Sequence, residues 1–258
     1  MDLLIKFIVC FIAGAGAGIG TGFAGMSAAA AISPILIAFL GMEPYDAVGI
    51  ALASDILASG VSAYTYYKNK NIDIKNGIVM MIAVLIFTAV GSFVSSLVPG
   101  AAMGSFSVIM TMLMGVKFIV KPVMTTKENT AASDAKQRII RSVAAGSVIG
   151  FICGFIGAGG GMMMLLMLTS VLGYELKTAV GTSVFVMAFT ALTGAASHFA
   201  IGGMPDTISL IFCVLSTLLW ARIASVIANK SKPEILNRTV GIVLIVLGVG
   251  VLAVKLLS

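Results

Sequence analysis

Charge is scarce in this chain: of 258 residues, 10% are Asp, Glu, Lys or Arg, where a soluble domain carries roughly a quarter. That shortage excludes a water-soluble globular protein. Histidine occurs once and cysteine three times. Cys10, Cys153 and Cys213 lie far apart within apolar stretches, without the paired spacing of a disulfide framework or a metal site, and read as small packing residues. No Gly-Lys-Ser/Thr follows the glycine-rich stretches, which excludes a soluble phosphate loop.

What is abundant is apolar: 59% of the residues are hydrophobic. Ile78 to Val116 and Val143 to Tyr174 run without a single Asp, Glu, Lys or Arg, longer than the ~20 residues that cross a bilayer as helix. These runs are apolar on all sides, whereas the strands of a β-barrel would alternate. An all-α, multi-pass protein of the cell (inner) membrane is expected, with the lipid bilayer as its principal partner. The formal charge of +6 does not indicate nucleic acid, because the basic residues sit mainly in short connections, where cytoplasmic Lys and Arg orient membrane helices. The start, "MDLLIKFIVCFIAG", opens with an acid and lacks a small-x-small cleavage site, so it reads as a retained first span.

Charged and Pro/Gly-rich connections divide the chain into ten apolar segments: Leu3 to Phe23, Ser27 to Leu40, Tyr45 to Tyr67, Gly77 to Val98, Ala101 to Val120, Ile139 to Ile156, Met162 to Leu172, Thr178 to Ile201, Thr207 to Asn229 and Ile235 to Leu257. Sliding Gly14 onto Gly146 aligns Gly14 to Ala63 with Gly146 to Ala195 without a gap, and thirteen of fifty positions are identical. The chain therefore reads as a first membrane repeat (1–120), a cytoplasmic linker (121–138) and a second membrane repeat (139–258).

Charge orients the copies. Lys68, Lys70 and Lys75 follow the third segment, whereas the matching "GGMPD" has no Lys or Arg. The next pair reverses this: Pro99-Gly100 is uncharged, while its counterpart carries Lys230, Lys232 and Arg238. Equivalent loops thus face opposite sides, the mark of inverted-topology repeats of about five segments each. The second segment of each half, 14 and 11 residues long, falls below an ordinary span. Each is expected to be a short half-helix reached through a break near the membrane midplane.

The glycines explain the break. Gly14, Gly18 and Gly22 recur every four residues, on one helix face that lets a neighbouring backbone approach. Beyond them, "GFAGMS" and the second copy's "GFIGAGGG" can take the positive φ of a sharp reversal. A turn inside the membrane exposes backbone N–H groups, and the positive end of the following half-helix adds to them. Gly25, Met26 and Ser27 in one copy, with Gly157, Gly159, Gly160 and Gly161 in the other, are the expected anion-binding elements. The bland alternative is that these glycines serve packing alone.

Gly146, Gly150, Gly154, Phe155, Gly157 and Gly159 to Gly161, then Ala179 to Ser183, then Gly203 and Asp206, form a pattern that resembles the TauE/SafE sulfite exporter family. The first copy repeats it more loosely through Gly22, Gly25, Pro34, Ala47 to Gly49 and Asp73, with Ser27-Ala28-Ala29 in place of the glycine triplet and Ile50-Ala51 in place of Thr-Ser. The resemblance covers nearly the whole chain. It implies outward transport of a small sulfur oxyanion or organosulfonate, such as sulfite or sulfoacetate. A passive anion channel or a transporter of another small anion is the alternative.

Few polar side chains lie inside the spans. Asp55 is the only charged residue between Asp46 and Lys68, and an ionised Asp at a helix centre costs about 2.5 to 3.5 kcal/mol on the insertion scale. Ser59, Ser62 and Tyr66 continue a stripe that faces something other than lipid. Asp55 is the candidate coupling residue for a proton or sodium ion, against the alternative of a protonated Asp bonded within the bundle. Thr182 and Ser183 are the candidate side-chain ligands, Thr190, Thr193 and Ser197 share a face of the same helix, and the lone His198 is a secondary coupling site. Arg222 reads as a snorkelling cation, and "MMMLLM" as apolar filler rather than a metal site. No catalytic residue, cofactor or metal is expected. A homo-oligomer stays open, and an intramembrane enzyme using Asp55 with His198 is the competing class.

Overall fold

The computed structural model describes residues 3–95, 116, 119–122, 135–156 and 160–257. Among these residues there is no strand, and nine helices are formed: α1 (Leu3–Ala24), α2 (Ala29–Leu40), α3 (Pro44–Lys68), α4 (Ile74–Ser95), α5 (Ala135–Ile156), α6 (Gly160–Ser170), α7 (Leu176–Gly202), α8 (Thr207–Lys230) and α9 (Pro233–Leu257). Five are long and apolar enough to cross a membrane: α1, α3 and α8 whole, and the stretches Leu176–Ala200 and Pro233–Gly250. The all-α membrane class follows from the chain's composition as expected. Most of the fifth apolar segment and most of the linker, 121–138, lie outside the described residues. α5 begins at Ala135, inside that linker, because loss of hydropathy marks the edge of the hydrocarbon and not the end of helical hydrogen bonding.

Burial is inverted relative to a soluble protein. Large apolar side chains such as Leu4, Ile12, Ile82, Leu215 and Val246 are exposed, as lipid-facing positions must be, while Ser54, Asp55, Ser59, Ser62, Ser183, Thr217 and Ser225 are fully buried. Hydroxyls and small residues, not leucines, fill much of the space between helices.

Three close seams hold the bundle. α1 lies against α8, α4 against α5, and α3 against α7. In the first seam, a methyl group built on Gly18 would stand 2.5 Å from the Thr217 carbonyl oxygen and 2.7 Å from the Ala221 nitrogen. One built on Gly150, the matched glycine, would stand 2.4 Å from the Val84 carbonyl oxygen. The expected role of the four-residue glycine spacing is thus realised twice, and each half's first helix uses it to press on the other half's fourth.

The ends of matched helices are also built alike. Gly41 after α2 and Gly173 after α6 both take left-handed φ, at 61° and 67°. Asp73 accepts the Asn76 amide at the start of α4 (3.1 Å), and Asp206 accepts the Ser209 amide at the start of α8 (3.1 Å). These carboxylates complement the positive ends of their helices, which gives the acid of the Gly-x-x-Asp motif a local structural role. Asp206 also pairs with Lys6 at 3.0 Å.

Candidate functional site

α1 stops at Ala24 because Gly25 adopts a φ of 63°, which an L side chain rarely adopts. The chain then crosses Met26, Ser27 and Ala28 without helical structure or in a turn, all of it buried, before α2 begins at Ala29. In the second half α5 ends at Ile156 and α6 begins at Gly160. Gly157 and Gly159 lie outside the described residues.

The start of α6 meets the first break. A methyl built on Gly161, in the first turn of α6, would stand 2.5 Å from the Gly25 carbonyl oxygen, 2.8 Å from the Ser27 nitrogen and 3.0 Å from the Met26 Cα. Ser183 on α7 ties the junction from the side: its Oγ donates to the Gly25 carbonyl (3.1 Å) and lies 3.4 Å from that of Gly161. Thr21 closes the other flank, its Oγ1 within 2.9 Å of both the Ala17 and the Met26 carbonyls. Backbone carbonyls that a turn would leave bare are thereby satisfied inside the protein.

Asp55 reaches the same place from α3. Its Oδ2 accepts the Ser27 hydroxyl at 2.7 Å, its Oδ1 accepts the Ser59 hydroxyl at 2.7 Å, and the side chain is fully buried. The Ala28 amide is a further donor toward it. The rest of the expected stripe is buried as well: Tyr66 donates to the Gly22 carbonyl at 2.9 Å and Ser62 points to the Ala221 carbonyl at 3.5 Å. The stripe therefore faces α1, α8 and the first break.

Other residues picked from the sequence stand elsewhere. Thr182 is buried next to Ser183, and its Oγ1 accepts the Asp73 amide at 3.1 Å, tying α7 to the segment before α4. Thr190 and Thr193 spend hydroxyl bonds on Met187 and Phe189 of their own helix, and Thr193 is exposed, since a hydroxyl near lipid finds its nearest acceptor in the preceding turn. His198 stacks on Tyr45, ring centroids 4.4 Å apart, and its Nδ1 lies 3.0 Å from the Gly194 carbonyl. Tyr45 precedes Asp55 by ten residues of one helix, about 15 Å of axis, so His198 and Asp55 are not brought together as an acid–base pair.

Sequence reasoning missed the cluster at the other end of α3. The Tyr174 hydroxyl and Asn76 Nδ2 both reach Asp73 Oδ2 at 2.7 Å. Asn71 Nδ2 donates to Asn229 Oδ1 (2.7 Å), Lys177 Nζ to the Asn229 carbonyl (2.8 Å), and Arg222 to Thr65 Oγ1. A methyl on Gly181 would stand 2.0 Å from the Asn71 carbonyl oxygen. Only the shared Ala-Val-Gly triplet hinted at this contact. Arg222, exposed along its span, bonds α3 rather than the breaks.

Interrupted helices whose buried ends meet within an apolar multi-pass bundle define the class of membrane transporters. Comparison with known proteins makes the class specific: residues 10–251 match the family model described as "Sulfite exporter TauE/SafE", and the chain belongs to that family. It is 25% identical over 96% of both chains to "Probable membrane transporter protein YunE" of Bacillus subtilis (strain 168). It is 26% identical to "Probable membrane transporter protein MJ0441" of Methanocaldococcus jannaschii, over 93% of this chain and 91% of that one. A third relative, "Probable membrane transporter protein YdhB" of Bacillus subtilis (strain 168), is 40% identical over 31% of this chain and 34% of its own. No solved structure matches. The protein is a multi-pass membrane transporter, and an intramembrane enzyme is set aside.

Proposed function

We propose that this transporter carries a small sulfur oxyanion or organosulfonate, such as sulfite or sulfoacetate, outward across the cell membrane. The substrate binds where the two helix breaks adjoin, and two inverted halves, 1–120 and 139–258, expose that place alternately to either side. The observation that carries the reading is the contact of Gly161 with Gly25, Met26 and Ser27. It sets the amide-bearing starts of α2 and α6 side by side, and such starts favour negative charge. Ser27 and Ser183 place hydroxyls there, at rest on the Asp55 carboxyl and the Gly25 carbonyl, without a fixed positive charge that would hold an anion too tightly. The interchange of seams, α1 on α8 and α4 on α5, supports the inverted relation of the halves. So does the crowding of Lys68, Lys70, Lys177, Lys230 and Lys232 at one end of the bundle, which fits a cytoplasmic face.

Flux into proteoliposomes, with sulfite, sulfoacetate, sulfate and chloride compared, tests the proposal. Saturable sulfite or sulfoacetate flux, accelerated by the same anion on the far side, is the expected result. Flux without that acceleration makes the protein a passive anion channel, and flux of chloride alone overturns the substrate class.

A further inference from the structure

We infer that Asp55 is a resident anion at the start of α2, and that it must take up one proton before a substrate anion can settle where the start of α6 meets the break between α1 and α2. The inference rests on the reading that an anion binds there. It also goes further, since it fixes the coupling ion, its stoichiometry and the side chain that carries it.

The carboxyl already holds what a bound anion would seek. Two hydroxyl donors reach it, one to each oxygen, at 2.7 Å, the length of charge-assisted O–H···O contacts. One of them, Ser27, belongs to the break itself, and the next residue contributes the Ala28 amide. A second anion at these donors stands a few ångströms from the carboxylate, in surroundings that screen poorly, and the two repel. A proton on Asp55 removes that repulsion and turns one oxygen into a donor.

No cation does this work instead. On α3 itself, Tyr45 and Asp46 lie ten and nine residues before Asp55, Tyr64 nine after it, and Tyr66, eleven after it, bonds the Gly22 carbonyl. On α1, Lys6 is held by Asp206, and Cys10 lies against Cys213 of α8 on the same outward stretch. On α7, His198 stacks on Tyr45 at one end, and Lys177 bonds the Asn229 carbonyl at the other. On α8, Arg222 is bonded to Thr65, ten residues from Asp55 along α3. α2 carries no titratable side chain. A metal cation also fits poorly, because the serine hydrogens point at the carboxyl and the nearby Gly25 and Met26 carbonyls already accept from Ser183 and Thr21.

The acid is not needed to build a break. Asp55 matches Met187 in the second half, Ser59 matches Ala191 and Ser27 matches Gly159, so the whole resident-anion device belongs to one half. One proton taken up from the side of entry and released with the anion on the other makes a singly charged anion's passage electroneutral. An inward proton gradient then opposes export, and the anion's own gradient drives it.

Titration calorimetry of the full chain with sulfoacetate, in sodium-free buffers of differing ionisation enthalpy, reads affinity and proton uptake together. Over about pH 6 to 8 this ligand stays fully ionised. The wild type is expected to take up one proton per anion, with Kd weakening toward tenfold per pH unit on the alkaline side. Asp55→Asn is expected to bind with neither pH dependence nor proton uptake. Ser59→Ala, which removes one donor to the carboxylate, is expected to move the wild-type profile to higher pH, and it serves should Asp55→Asn fail to fold. Binding by the wild type that is independent of pH, or that follows added sodium, overturns the inference and leaves the transport reading standing. Absence of sulfoacetate binding at every pH, with sulfite flux also absent, defeats both.

Discussion

The seam between α1 and α8 makes a sharp test of the packing argument, through Gly18→Ala. The added methyl would lie 2.5 Å from the Thr217 carbonyl oxygen, 2.7 Å from the Ala221 nitrogen and 2.9 Å from the Trp220 Cβ. Ordinary contact begins near 3.4 Å, so α1 must retreat by roughly 1 Å, and two of the three obstacles are backbone atoms that cannot rotate away. Overpacking of this kind costs about 1–3 kcal/mol. The upper half of that range is expected, because retreat at Gly18 also opens the close packing of Gly14 and Gly22, where an added methyl would stand 2.7 and 2.5 Å from Ser216 and Ala224. Gly60→Ala is the control: Gly60 is helical with nothing within 4 Å of the new methyl, and the exchange is expected to stabilise α3 by about 0.5–1 kcal/mol. Trp220, the single tryptophan, adjoins Gly18, so its fluorescence in detergent reports both unfolding and local displacement. Equal unfolding temperatures for the two variants, or an unmoved Trp220 spectrum in Gly18→Ala, would refute the idea that the glycine spacing exists to bring these backbones together.

Three further outcomes follow from the contacts. Gly161→Ala, whose methyl would press on the Gly25 carbonyl and the Ser27 amide, is expected to leave a folded protein by Trp220 fluorescence while lowering sulfoacetate affinity at least tenfold; unchanged binding in calorimetry would separate the paired breaks from the anion site. Ser183→Ala strips the Gly25 carbonyl of its buried hydroxyl donor and is expected to cost about 1–3 kcal/mol, read as a lowered midpoint in thermal unfolding, whereas Thr193→Ala at an exposed position should change it by less than about 0.5 kcal/mol. At Asp206, the Ser209 hydroxyl first and then Lys6 hold the carboxyl below its ordinary range. Its contribution is therefore present above the unfolded value of about 3.9 and is lost as pH falls through the lower folded value. Because the pair is partly exposed, its worth is under about 1 kcal/mol, and a Lys6→Ala variant should converge with the wild type in thermal unfolding toward pH 3.

Much of this was legible in the sequence because it was written in backbone terms. Glycine at Gly14, Gly18 and Gly22 states how near a neighbour can come, and the alignment of the halves states that Gly146 and Gly150 must do the same. The lack of charge, the short second segments and the reversal after Gly22 were equally readable, since each depends on residue type and spacing alone. What stayed hidden depends on which side chain finds which carbonyl across the bundle. Ser183 and Thr182, candidate ligands by sequence, have partners that spacing does not reveal: the first bonds the Gly25 carbonyl and the second accepts the Asp73 amide. His198, which invites a chemical role as the single histidine, is turned to Tyr45.

The two halves agree where they pack and differ where charge is handled. Matched glycines meet matched helices, matched glycines end the half-helices, and acids start α4 and α8. At the breaks the agreement fails: Ser27, Asp55 and Ser59 have Gly159, Met187 and Ala191 as partners, and Thr182-Ser183 has Ile50-Ala51. Each half therefore contributes what the other lacks, a carboxyl with its hydroxyls from the first and the Ser183 clamp from the second. Because Ser27 bonds Asp55 while Ser183 bonds the Gly25 carbonyl two residues away, the proton proposed for Asp55 would act on the break that Ser183 grips. In the proposed carrier a change of charge on one half would thus reach the other across a few ångströms, which is the coupling that a single central site would require.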